Sequence, residues 1–199
     1  MTQLPSTRGG IPPGRIDAAT DEAVLIARVV MRDQDAFEML YRAYYPKLRQ
    51  FVLRMTRRPA LVEDVFNETM LAVWRKARSY NGGSRVSTWI YAIAYRQALK
   101  ALRRNDEPLE QHDPDALRSP GHEPDRELQQ HQWRGHLQAA MAALSPEHRA
   151  VIELTYFHDY ACRDVAAIVQ CPVATVKTRM FYARRRLKTL LAALAEEVS

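Results

Sequence analysis

Cysteine is nearly absent from this chain. Its 199 residues hold two, Cys162 and Cys171. No CxxC and no Cys/His cluster accompanies them, so neither a zinc finger nor a disulfide framework is expected. Two reduced thiols in a cytosolic protein are the simpler expectation. No apolar run approaches bilayer length, and no signal-peptide core opens the chain. A cytoplasmic location without membrane insertion follows. There is no Gly-rich phosphate loop, no HExxH and no Ser/His/Asp arrangement that can be placed. The six histidines (His112, His122, His131, His136, His148 and His158) are scattered. No catalytic residue, metal or cofactor is therefore expected. Strand alternation is missing as well, which leaves an all-α fold.

Acidic residues are scarce except in one place. Residues 1–104 carry 18 Lys/Arg against 9 Asp/Glu, residues 105–133 carry 2 against 8, and residues 134–199 carry 9 against 6. Two basic blocks around an acidic one suggest two modules facing a polyanion, joined by a connector. The connector, 105–133, holds Pro108, Pro114, Pro120 and Pro124 and little apolar content, the composition of a linker. Residues 1–20, rich in Pro, Gly and Ser/Thr through Ile16, read as a disordered tail. The expected organisation is a tail (1–20), a helical module (21–104), the connector (105–133) and a second helical module (134–199).

In the first module a short helix is expected from about Asp21 to Met31. Phe37, Leu40, Tyr41, Tyr44, Leu48, Phe51, Val52 and Met55 then recur at helical spacing, with Pro46 as a possible kink. The next helix, Ala60 to about Ser79, buries Val62, Val65, Phe66, Thr69, Val73 and Ala77. Its opposite face presents Asp64, Asn67, Glu68, Leu71 and Arg75; an exposed leucine among charges suits a docking face. Tyr80 to Ser84 is a loop, and a helix from about Arg85 to Arg104 follows. There Arg85, Trp89, Arg96, Lys100 and Arg103 share a face. A tryptophan among cations fits single-stranded nucleic acid, with bases on the ring and phosphates on the cations. Packing of Trp89 in the core beside a solvated stripe weighs equally.

The second module starts with a helix from Trp133 to Ala143. Ser145-Pro146 caps another. Asp159 and Tyr160 open a helix to about Gln170, Cys171-Pro172 breaks it, and a last helix starts near Val173. Val173, Val176, Met180, Ala183, Leu187 and Leu190 form its buried face; Thr175, Thr178, Arg179, Tyr182, Arg185 and Arg186 lie opposite. This is a helix-turn-helix whose second helix fits a major groove. The competing reading is an amphipathic hairpin with a solvated basic face.

At these residues the chain resembles the extracytoplasmic-function sigma factors, compact members of the sigma-70 family of bacterial transcription initiation factors. Phe37 to Ala77 resembles the family's region two, with Glu63-Asp64 and Asn67-Glu68-Thr69 on its "ED…QE" signature. Ser87-Thr88-Trp89-Ile90 and Ile93-Ala94 match "TWL..IA", and LSPEHRAV followed by DVAAIVQCPVATVKTR resembles region four. Five positions depart from the pattern. Asn67 stands where Gln is usual, Arg96 and Lys100 where Asn and Asp are frequent, Gln170 where glycine is usual, and Tyr182 where a basic residue is frequent.

The resemblance implies a factor that binds core RNA polymerase, at its clamp and flap regions, and directs it to promoter DNA. Asp64, Asn67, Glu68, Leu71 and Arg75 would bind polymerase. Tyr80, Asn81, Ser84, Arg85, Trp89, Arg96, Lys100 and Arg103 would contact and melt the −10 element. At the −35 element Lys177, Thr178, Phe181 and Tyr182 would read bases, while Thr175, Arg179, Arg184 and Arg185 would hold phosphates. The acidic connector would imitate nucleic acid inside the polymerase channels, and an anti-sigma factor is an expected partner. The alternative is a stand-alone helix-turn-helix regulator that binds DNA as a dimer.

Overall fold

A computed structural model describes residues 18–104 and 135–196; most of the tail and the whole connector lie outside the described residues. Among those described, the secondary structure is helical: α1 (Ala18–Val30), α2 (Gln34–Thr56), α3 (Val62–Lys76), α4 (Val86–Arg104), α5 (135–142), α6 (Pro146–Tyr156), α7 (Cys162–Val169) and α8 (Val173–Glu196). Local chemistry sets the ends. The Asp33 carboxylate accepts from the Ala36 amide at 3.0 Å and starts α2. The helix runs on through Pro46 and stops at Arg57, which is left-handed with φ 58° and bonds back to Leu53. At α6 the Ser145 hydroxyl accepts from the His148 amide, and Pro146 occupies a position that needs no donor.

Several expected boundaries shift. α1 begins at Ala18, three residues before the expected start. The span from Ala60 to Ser79 is not one helix, because single 3-10 turns, Pro59–Leu61 and Ala77–Ser79, flank α3. The helix expected from Asp159 begins at Cys162, since Asp159 is left-handed (φ 53°) and turns the chain before α7 can start. α7 ends where Gln170 is also left-handed, its amide bonded to Ala166. Val173, expected inside, is 38% exposed; it lies in the first turn of α8, beyond the reach of the core.

In module one, α2 packs on α1, α3 and α4; in module two, α8 packs on α6 and α7. The modules also pack on each other, α4 against α7 and α2 against α6. One buried cluster therefore runs from Ile26 and Val29 through Phe51, Phe66 and Tyr91 to Val165, Ile168, Val176 and Met180. This is why α4 buries Tyr91, Tyr95 and Ala98 as well as Val86, Ile90, Ile93 and Ala94.

The seam between the modules is aromatic. Tyr91 meets Phe51, His158 and Tyr160 edge-on, with ring centroids 5.2, 5.1 and 5.4 Å away. Polar contacts cross it too. Arg54 Nη1 lies 3.3 Å from Glu153 Oε2, with its guanidinium 4.3 Å from the centre of the Phe157 ring. The Tyr91 hydroxyl is 3.0 Å from His158 Nδ1, and Arg57 donates to the Gln138 carbonyl at 3.1 Å.

Candidate nucleic-acid interface

Three surfaces carry the residues singled out in the sequence. On α3, Val62, Val65, Phe66, Thr69, Met70 and Val73 are buried, which turns Asp64, Asn67, Glu68, Leu71 and Arg75 to solvent. Leu71 is 38% exposed at the centre of this charged stripe. The sequence reading missed the flank of the face. Tyr41 and Tyr45 rise from α2 against Phe66, with centroids 4.8 and 5.0 Å away. Their hydroxyls donate to Asn67 Oδ1 at 3.3 Å and Glu63 Oε1 at 3.0 Å. The signal was present in aromatics at Phe37, Tyr41 and Tyr45, four residues apart.

The second surface is the loop before α4 and the outer face of that helix. Asn81 closes the loop by accepting from the Gly83 amide at 3.0 Å. Gly82 has φ +74°, a conformation that disfavours any side chain. The Tyr80 hydroxyl donates to the Ser84 carbonyl at 2.6 Å, and the Tyr80 ring tilts over Trp89 at 5.6 Å. Trp89 is half-buried, packed on the core yet reaching solvent. Arg85, Arg96, Lys100 and Arg103 are exposed along the same side. The loop presents Asn81 beside a ring and a row of cations, a surface suited to an unstacked base and its phosphates.

The third surface is α8. Lys177, Thr178, Phe181, Tyr182, Arg184 and Arg185 are exposed. Phe181 and Tyr182 are 61% and 54% exposed and touch edge-on at 5.5 Å. Two aromatic rings in solvent on a basic helix form an exposed apolar patch, a feature of interaction surfaces. Thr178 donates to the Ala174 carbonyl at 3.0 Å, which leaves its hydroxyl oxygen free to accept. Two expected outward residues are turned inward: Thr175 and Arg179 are partly buried. Arg179 leans on Tyr95 of α4, where its charge and a hydrogen bond oppose the upward push of burial on the Tyr95 hydroxyl pKa. Arg184, two turns after Lys177, lies 5.4 Å from the Tyr156 ring, on the side of α8 that meets α6.

That side holds a feature the sequence reading did not identify. Leu137, Met141, Ile152, Tyr156, Phe157, Leu187 and Leu191 line an apolar groove of about 590 Å³, with Arg184 and Lys188 at its rim. Tyr156 and Phe157 are 52% and 47% exposed there. Finding it requires knowing that α5 lies across α6 and α8. Among the described residues no group of His, Cys, Asp and Glu is arranged to hold a metal ion, and no helix is long and apolar enough to cross a membrane.

The Sigma-70 region 2 family model matches residues 40–107, and the Sigma-70, region 4 model matches residues 134–187. The chain is 32% identical over 162 residues to the ECF RNA polymerase sigma factor RpoE of Cereibacter sphaeroides, covering 79% of this chain and 87% of that protein. It is 27% identical to the RNA polymerase sigma-H factor of Pseudomonas aeruginosa, covering 87% and 95%. Among solved structures it resembles the sigma factor RpoE of Bartonella quintana in complex with the anti-sigma factor NepR, at 25% identity and a TM-score of 0.61, covering 78% and 96%. It shares its fold with CnrH in complex with the cytosolic domain of CnrY, at 21% identity and a TM-score of 0.63, covering 87% and 98%. The helical architecture, the two matched regions and the RpoE relative together make this chain a member of the extracytoplasmic-function sigma factors of the sigma-70 family.

Proposed function

We propose that this sigma factor binds core RNA polymerase, leads it to a specific set of promoters, and does so without catalytic chemistry of its own. The observation that carries the reading is the division of labour among exposed faces. α3 offers a charged stripe centred on Leu71, α4 a tryptophan among cations, and α8 an aromatic pair among cations. In this reading α3 docks on the polymerase clamp, and interfaces of this kind draw most of their energy from a few central residues. The loop from Tyr80 to Ser84 takes an unstacked base of the −10 element, with Trp89 at the fork and Arg85, Arg96, Lys100 and Arg103 on phosphates. Lys177, Thr178, Phe181 and Tyr182 read the −35 element, flanked by Thr175, Arg179 and Arg185 on phosphates. The apolar groove beside Tyr156 and Phe157 suits the flap region better than DNA does, and Arg184 at its rim belongs to that contact more than to phosphate.

Domain boundaries at residues 20, 104 and 133 fit this scheme, with the connector joining two weak contacts into one bivalent grip. A cytoplasmic location agrees with a polymerase partner. An anti-sigma factor is the expected inhibitor, since the similar RpoE of Bartonella quintana was solved in complex with the anti-sigma factor NepR. A stand-alone dimeric regulator explains α8 but leaves the α3 and α4 faces without a role. Run-off transcription with purified core polymerase tests the reading: initiation from a selected promoter should require this chain. DNA binding as a dimer, with no effect on polymerase, would reject it.

A further inference from the structure

We propose that a cleft between α8 and the start of α6 holds a backbone phosphate of promoter DNA beside the −35 element, with His148 and Arg186 among its donors. The inference rests on reading α8 as the −35 helix and extends that reading past the turns that meet bases.

The cleft measures about 360 Å³ and is lined by Ser145, His148, Tyr182, Arg185, Arg186 and Thr189, with the α5–α6 turn as its far wall. It shares none of these residues with the apolar groove.

The lining is cationic and rich in donors. Arg185 and Arg186 are exposed, and neither is in an ion pair among the described residues. Among those residues no carboxylate lines the cleft. Glu147, its neighbour in sequence, acts instead on Arg149 and Tyr95. The Ser145 hydroxyl accepts from the His148 amide at 3.3 Å and lies 3.1 Å from His148 Nδ1. With Nδ1 accepting the hydroxyl hydrogen, the ring proton sits on Nε2, which makes His148 a donor on its free side. The N-terminus of α6 adds positive potential to the same wall. Two guanidiniums, an imidazole N–H and a helix start around one space favour an anion, and guanidinium forks match phosphate best.

Register identifies which phosphate. Thr178, Tyr182, Arg185, Arg186 and Thr189 follow one another at spacings that keep them on one stripe of α8. The helical wall of the cleft therefore continues the face that carries the base readers. Lys177 and Arg186 are nine residues apart, roughly 14 Å along the axis at ~1.5 Å per residue. The major groove is about 12 Å wide. When the first turns of α8 meet base edges, Arg186 and the start of α6 stand at the strand that borders the groove. A phosphodiester of that strand is then gripped from two helices at once, which fixes the angle at which α8 enters. Free phosphate offers the same chemistry, so the test separates the two sources.

The test uses holoenzyme made with the full chain and a promoter duplex selected by the wild type. Arg186→Ala removes one exposed guanidinium. His148→Leu keeps bulk without the donor, and circular dichroism checks its fold. In a series of duplexes, one phosphate in or beside the −35 element at a time is replaced by an uncharged methylphosphonate. Each variant should bind about three- to tenfold more weakly on every −35 sequence, Arg186→Ala with a salt slope lower by about one. One methylphosphonate position should cost the wild type a similar factor and the variants little, because their partner is already gone. Wild-type affinity in both variants, or losses that add at every position, overturn the proposal. If His148→Leu fails to fold, Arg186→Ala and the duplex series decide. Inorganic phosphate titrated into the free chain, read at the His148 ring by NMR, covers the other source. Saturation at micromolar phosphate, with promoter binding of the variants unchanged, assigns the cleft to a free anion and overturns the proposal. Lys177→Ala in holoenzyme keeps the two ideas apart. Unaltered −35 preference there defeats the reading of α8, whereas relaxed preference with additive losses at the cleft defeats only the phosphate site.

Discussion

Gln170 shows how one residue can be under strain in a working fold. It caps α7 at φ 53°, ψ 49°, in the turn of the helix-turn-helix, and a left-handed backbone costs a residue with a Cβ about 1–2 kcal/mol. Gln170→Gly should therefore raise stability by about 1 kcal/mol, read as a higher denaturation midpoint at unchanged m-value. Glu153 is a second case. Burial pushes its carboxyl up to about 7, and Arg54 offsets only part of that. The folded state then holds a proton that the unfolded chain releases above about 4.5. Stability from this group is full below pH 4.5, falls as pH rises to 7, and is level beyond. His158 works the other way. Burial, with Arg54 and Lys47, lowers its pKa, so its contribution is full above about 6.5 and is lost on acidification. Glu153→Gln should thus gain on wild type steadily between pH 4.5 and 7, by up to ~3 kcal/mol at ~1.4 kcal/mol per pH unit. Parallel stability curves would show that Glu153 is ionised freely in place.

At the scale of elements, α3 was the most legible. Its core positions repeat at three and four and it is covered from one side, so periodicity alone located the inner face and left Leu71 among charges outside. Glu68→Ala/Leu71→Ala should leave helicity intact and weaken core-polymerase binding by at least about 2 kcal/mol, roughly thirtyfold. Full affinity in a folded double variant would move the docking face elsewhere. α8 was legible only in part. Lys177, Phe181 and Tyr182 are exposed as expected, but Thr175 and Arg179 are partly buried, and Arg179 leans on Tyr95, far away in sequence, which no local pattern records. The division of α8 into readers and anchors remains testable in holoenzyme. Lys177→Ala should relax −35 preference, costing about 1–3 kcal/mol on the selected site and little on others. Arg185→Ala should weaken all sites alike and lower the salt slope by about one. Equal losses on every sequence from both variants would erase the distinction. α4 was hardest to read, because it packs on α2 and α3 of module one and also on α7 of module two, with Tyr91 meeting His158 and Tyr160 and Tyr95 meeting Arg179. A helix buried on two sides looks, in sequence, like one with a broad apolar face.

At the scale of the molecule, charge and composition led to an expectation of two basic modules around an acidic connector, and the matched regions are residues 40–107 and 134–187. Their packing was not legible. It depends on a few residues, Phe51, Arg54, Tyr91, His158 and Tyr160, that look ordinary in their own helices and gain meaning only as a set. Asp159 contributes through its left-handed backbone, which presents His158 and Tyr160 to α4; nothing in an Asp-Tyr pair announces that.

The unbroken core has a calorimetric consequence. Two modules with separate cores would melt as two events, each with its own enthalpy. Here Tyr91, Val165 and Ile168 belong to the same buried cluster as Phe51 and Phe66, so loss of either module strips apolar cover from the other. Heating the full chain near neutral pH should give a single endotherm whose van't Hoff and calorimetric enthalpies agree. In Arg54→Glu the endotherm should separate into two. Two endotherms already present in the wild type would mean that the modules share a surface but not a transition.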